Sequence, residues 1–77
     1  MPSAPPPDWV LSHRQRIGLA IREARRGRKL SQERLAELAG MDRQAINRIE
    51  NGHQAALIDT LIRIADALNV SLADLVR

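Results

Sequence analysis

A chain of 77 residues has room for one domain around one modest core. It has no cysteine, and its two histidines, His13 and His53, lack the spaced partners of a zinc site, so a disulfide framework is ruled out and neither metal nor cofactor is expected. Its net charge of +3 is unevenly spread: Arg14, Arg16, Arg22, Arg25, Arg26, Arg28 and Lys29 face a lone Glu23 between His13 and Leu30, a local +6, while the remainder sums to −3. Such a stretch suits a polyanionic partner, or simply a solvated helix face. No apolar run approaches the roughly 20 residues of a membrane span and no signal-peptide pattern opens the chain, so no membrane association is expected and a cytoplasmic location is.

In chain order, residues 1–11 read as a Pro-rich, flexible arm ahead of a domain at 12–77, because the four prolines up to Pro7 cannot propagate a helix. Trp9, Val10 and Leu11 close the arm and are apolar enough to dock on the domain or on a second subunit. Ser12 is placed to cap a first helix with the buried stripe Ile17, Ala20, Ile21 and Ala24, ending around Gly27. Ser31 caps a second, with Leu35, Leu38 and Ala39 inward and Gly40 as its stop. Asp42 caps a third, with Ile46 and Ile49 inward, closed by Gly52. A fourth carries Leu61, Ile64, Ala65 and Leu68, and Ser71 caps a short fifth with Leu72, Leu75 and Val76. Nothing alternates with period two, so the fold class is all-α, a compact bundle of five short helices.

Only Gly40 and Met41 separate the second helix from the third. So short a connection forces a sharp turn, and its glycine supplies the positive φ that usually ends a helix. With the small Ala36 allowing close approach, the spacing from Ala36 to Gly40 to Ile46 is that of a helix-turn-helix unit. The third helix, inside the stretch GMDRQAINRIENG, is unusual in collecting flat, multi-donor side chains at Arg43, Gln44, Asn47 and Arg48.

From Ile17 to Val76, about four-fifths of the chain, the sequence resembles the lambda-repressor-like (XRE/Cro-type) family of DNA-binding domains. The shared pieces are an Arg near the end of helix one, Leu-Ser-Gln opening helix two, the turn Gly, Ile-x-x-Ile-Glu-x-Gly, and Leu-x-x-Ile-Ala-x-Ala-Leu-x-Val-Ser, in order. The resemblance implies a third helix lying in the major groove of double-stranded DNA while helix two crosses the backbone. By position, Arg43, Gln44, Asn47 and Arg48 would read base edges, arginine suiting guanine and glutamine or asparagine suiting adenine, with Ala45 against a thymine methyl. Gln32 and Asn51, with Ser31 and the helix-one residues Arg14 and Arg16, would hold phosphates. Arg25 and Glu50 match positions that pair in the family, implying a structural salt bridge. Two features depart from the pattern: the loop from His53 to Leu57 has no Lys or Arg, and Asp42 stands where Ser or Thr is commoner.

The functional expectation is a sequence-specific, nucleoid-associated DNA-binding regulator, repressor-like and homodimeric on a palindrome. Apolar surface for the dimer would come from Leu72, Leu75 and Val76 or from the Ile58 and Ile62 edge. The alternative is a protein-interaction adaptor or antitoxin-type module, supported by Trp9 to Leu11, in which DNA contact is secondary. No constellation of nucleophile, base and carboxylate suggests an enzyme, and Asp59, Asp66 and Asp74 are explained as solvent-facing helix residues.

Overall fold

The computed structural model describes residues 4–77. Five helices account for most of them: α1 (Asp8–Gly27), α2 (Gln32–Ala39), α3 (Arg43–Glu50), α4 (Ile58–Leu68) and α5 (Leu72–Val76), with no strand among the described residues. Each helix sends at least one side chain into a common centre, where Ile21, Leu35, Ile46, Ile64, Leu68 and Leu75 are all but fully enclosed. None of these helices is long and apolar enough to cross a membrane.

The first helix starts earlier than Ser12. Pro7 sits in an extended conformation ahead of Asp8, and the acidic Asp8 occupies the favourable first turn. The buried stripe begins two turns upstream of Ile17, with the half-buried Val10, Leu11 and Arg14 leading into Ile17, Gly18 and Ile21. Ser12 is therefore an exposed residue within α1, and Trp9, Val10 and Leu11 belong to its first turns. Trp9 is 68% exposed and meets the His13 ring edge-on at 6.2 Å. Residues 1–3 of the expected arm lie outside the described residues.

Two other inward assignments change. Leu38 is 48% exposed because α2 buries Leu35, Ala36 and Ala39, and at roughly 100° per residue Leu38 falls well to one side of that stripe. On α5, Leu75 is consumed by the core and Leu72 packs against it, leaving only Val76 outward.

Every interhelical turn closes in the same way. A residue with left-handed backbone follows each of α1 to α4, namely Lys29, Gly40, Gly52 and Asn69. The next amide then reaches back five residues: Leu30 N–H to Arg25, Met41 to Ala36, His53 to Arg48 and Val70 to Ala65. This bond satisfies a carbonyl that the helix end would otherwise leave open. Gly27, expected to end α1, is its last residue, but the left-handed turn is made by Lys29.

A feature absent from the sequence reading sets the angle between α1 and α3. A Cβ on Gly18 would lie 2.3 Å from the Ile49 carbonyl oxygen and 2.5 Å from that of Glu50, so α1 crosses the end of α3 at backbone contact. Gly18→Ala is expected to lower stability by about 3 kcal/mol, the upper end for overpacking, because carbonyls cannot swing aside as a side-chain tip can. Gly27→Ala, with nothing within 4 Å of the added carbon, should leave stability equal or slightly raised. Thermal unfolding of the two variants checks the contrast; equal melting points would show that α1 and α3 do not approach so closely.

Candidate nucleic-acid interface

The polar surface is built outward from one carboxylate. Glu50 ends α3, and its side chain is completely enclosed beneath α1. Arg25 meets it with two bonds, Nε to Oε2 at 2.7 Å and Nη2 to Oε1 at 3.0 Å, and turns its remaining nitrogen, Nη1, to the Leu30 carbonyl at 2.8 Å. Paired donors on a planar fork match the carboxylate and make the interaction directional as well as charged. The Glu50 Oε1 atom also accepts from Gln32 Nε2 at 3.1 Å, and Arg22 Nε stands 3.5 Å away. Among the described residues, no buried side-chain nitrogen or oxygen lacks a partner.

Burial by itself would push the Glu50 carboxyl up. The Arg25 and Gln32 hydrogen bonds, the Arg25 charge and the Arg22 hydrogen bond outweigh it and hold the group below its ordinary value of 4.5. The pair therefore exists as an ion pair across neutral pH. Its removal from one side would strand a buried charge, a loss of roughly 3 to 5 kcal/mol.

From Glu50 a chain of amides runs to the surface. Gln32, on the first turn of α2, accepts at Oε1 from Asn47 Nδ2 at 3.2 Å. Asn47 Oδ1 accepts from Asn51 Nδ2 at 3.3 Å, and Asn51 Oδ1 accepts from Arg22 Nη2. Gln32, Asn47 and Asn51, expected to act separately on base and phosphate, are thus bonded to one another. In the sequence Arg22 is one cation among several in a basic run, and nothing in its residue type sets it apart. It lies one turn from Gly18 and one from Arg25, and that shared helix face was the available signal.

Arg43, Gln44 and Arg48 are exposed, and among the described residues their side chains hydrogen-bond to nothing within the protein. Ala45 is half-buried. Ser31 Oγ accepts the Arg34 amide at 2.9 Å and so caps α2, whereas Asp42 holds the corresponding position of α3 without a side-chain cap bond. Arg14 and Arg16 do not share a face, since two residues along a helix rotate by roughly 200°. Arg14 lines an apolar groove of about 240 Å³ with Val10, Ile17, Ile49, Ala56 and Leu61, and Arg16 contacts His13. The basic run is likewise divided: Arg25 is buried, and Arg28 Nη1 bonds the Leu68 carbonyl at the end of α4.

Two helices joined by a left-handed glycine, the second displaying unpaired arginine and amide groups, define a helix-turn-helix unit. The chain belongs to the helix-turn-helix family HTH_3, whose model matches residues 21–75, a family of transcription regulators and controller proteins rather than enzymes. It is similar to the control protein C.SmaI of Serratia marcescens, with 40% identity over 55 residues covering 71% of this chain and 66% of that protein, so the chain spans just under two thirds of that relative's length. Among solved structures it resembles the restriction-modification controller protein C.AhdI from Aeromonas hydrophila, at 31% identity and a TM-score of 0.82 over 83% of this chain and 97% of that one. It also resembles a hypothetical transcription factor, NHTF, from Neisseria, at 26% identity and a TM-score of 0.82 over 100% and 86% of the two chains.

The lowered Glu50 pKa has a definite sign for stability. Its contribution is complete above the ordinary value of 4.5 and is lost as pH falls through the lower folded value. Asp74, held low by the Ser71 hydroxyl and amide, acts in the same sense, so the parent alone cannot separate the two. Glu50→Gln is expected to melt lower than the parent at neutral pH and to lose less on acidification. Melting curves that run parallel down to strong acid would mean that Glu50 is not ionised in the fold.

Proposed function

We propose that this chain is a sequence-specific double-stranded DNA-binding regulator that acts as a homodimer on a two-fold-symmetric site, repressor-like in working by occupancy. The observation that carries the reading is the outer face of α3: Arg43, Gln44 and Arg48 stand exposed and unpaired, with the exposed Asn47, the middle member of the amide chain, beside them. A long polar side chain bonded to nothing loses little on entering a groove, and a guanine or adenine edge offers the complementary pattern. Exposed cations on α1, such as Arg26, add sequence-independent attraction to phosphate. The likeness to two control proteins, one of them named for restriction-modification, makes control of such genes the kind of regulation we favour.

The dimer reading rests on α4. Leu57, Ile58 and Ile62 are 77%, 68% and 49% exposed at the start of that helix, where the pattern predicted only the last two as an edge. α5 offers much less, since Leu75 and Leu72 are taken up by the core. Ile58→Glu is expected to shift sedimentation towards monomer without lowering the melting point of the monomer, as exposed substitutions usually move stability by within about 0.5 kcal/mol. A parent that stays monomeric at high concentration, with and without DNA, would remove the dimer from the reading.

Selection of bound sequences from a random duplex pool tests the function itself. Enrichment of a palindrome supports the regulator; no enrichment, with a protein partner co-purifying through Trp9, supports the adaptor instead. On the enriched site, Arg43→Ala, Gln44→Ala and Arg48→Ala should each leave the fold intact. At least one should weaken specific binding by roughly 1 to 3 kcal/mol while changing random-duplex binding far less, at fixed salt. Uniform weakening on both duplexes would turn α3 from a reading helix into a backbone clamp.

A further inference from the structure

We propose that Arg22 is a positioning residue for base reading: it anchors the Asn51 end of the Asn51–Asn47–Gln32 amide chain and so fixes which hydrogen-bonding groups α3 presents. The proposal rests on the DNA-binding reading above.

The argument is one of donor and acceptor polarity. An amide side chain can flip, exchanging its oxygen and nitrogen at little cost. Here the chain runs between two groups that cannot exchange roles, a guanidinium that only donates and a carboxylate that only accepts. Arg22 Nη2 requires the oxygen of Asn51, which turns the Asn51 nitrogen to Asn47. Asn47 must then offer its oxygen there and its nitrogen to Gln32, which offers its own nitrogen to Glu50. Arg22 Nε approaches the same Glu50 Oε1, so the chain closes into a ring. A flip at any amide sets donor against donor on one side and acceptor against acceptor on the other.

The two anchors are unequal. Glu50 is fully enclosed and orients Gln32 without help, whereas Asn47 is exposed and Asn51 half-buried, so water competes for their neutral links. The charged contact from Arg22 is the stronger bond at that end. With it in place, the second N–H of Asn47 and the unclaimed side of its oxygen form a fixed pattern next to Arg43 and Arg48. Arg22 itself is 28% exposed in its side chain and far less enclosed than Arg25, whose bonds to Glu50 do not depend on it.

The test uses Arg22→Lys, which keeps the charge but replaces a two-nitrogen fork with a single ammonium unable to span Asn51 and Glu50 together. Side-chain amide proton exchange by NMR reads the ring directly. Affinity for the enriched site and for a random duplex, across a salt series, reads its consequence. The expected result is a melting point near the parent's, with faster amide exchange at Asn51 and Asn47 than at Gln32. Discrimination between the duplexes should fall roughly fivefold or more, with the salt slope and random-duplex affinity kept. Adding Arg22→Lys to Asn51→Ala should cost little further discrimination, because one acts through the other. Equal weakening on both duplexes with a shallower salt slope would make Arg22 a phosphate contact and overturn the proposal. Unchanged amide exchange in a protein that does enrich a site overturns this role alone. A parent that enriches no site overturns the DNA reading, and this role with it.

Discussion

A carboxylate shut away from water imposes its requirements on everything around it. Glu50 has an enclosed side chain at the end of α3, and the groups that satisfy it come from α1 and from the first turn of α2. Three helices are therefore held by one pair of oxygen atoms. The approach that makes this possible is Gly18, which brings α1 down onto the backbone of α3 so that Arg22 and Arg25, on the same face one and two turns later, arrive beside the carboxylate. An apolar replacement of similar shape could give comparable stability. What it could not give is direction, because a fork on a carboxylate tolerates one arrangement and a cluster of methyl groups tolerates several.

The apolar centre and the polar ring divide the work of positioning. Ile46 and Ile49 fix the rotation of α3 about its own axis by burying one side of it. The ring then fixes the groups on the flank between that buried side and solvent. The face opposite the core remains free of internal bonds. A helix of eight residues therefore shows a graded environment around its circumference, from enclosed, through braced, to open.

Much of this was legible because it is local. Ser31 and Ser71 act on amides three residues away, and Gly40 adopts the left-handed backbone that a two-residue connection demands. Helical spacing found the enclosed isoleucines and leucines because burial repeats with the helix period. The failures share a different cause. Lys29 and Asn69 take left-handed conformations that most side chains avoid, so nothing in their type announces the α1 stop and little announces the α4 one. Asp42 is a good capping residue whose side chain does not bond, and Leu38 has the right period but the wrong side. The start of α1 was hidden because Trp9, Val10 and Leu11 follow a proline run. Arg22 was hidden because its partners lie 28 and 29 residues away, a distance that no spacing rule covers.

The four reach-back closures bear on how such a chain could diverge. Each of α1 to α4 carries its own ending, made by bonds inside six consecutive residues, so its length does not depend on what its neighbours display. Substitutions at positions 43, 44 and 48 break no internal bond and disturb no ending, which leaves them open to drift one at a time. Position 47 is different, because it is linked through the ring to 22, 32, 50 and 51. A change at 43, 44 or 48 therefore alters the groups offered to a partner without disturbing the ring, whereas a change at 47 has to be matched at its bonded partners. The same small bundle in that sense joins a mutually bonded bracket to an edge of independent positions.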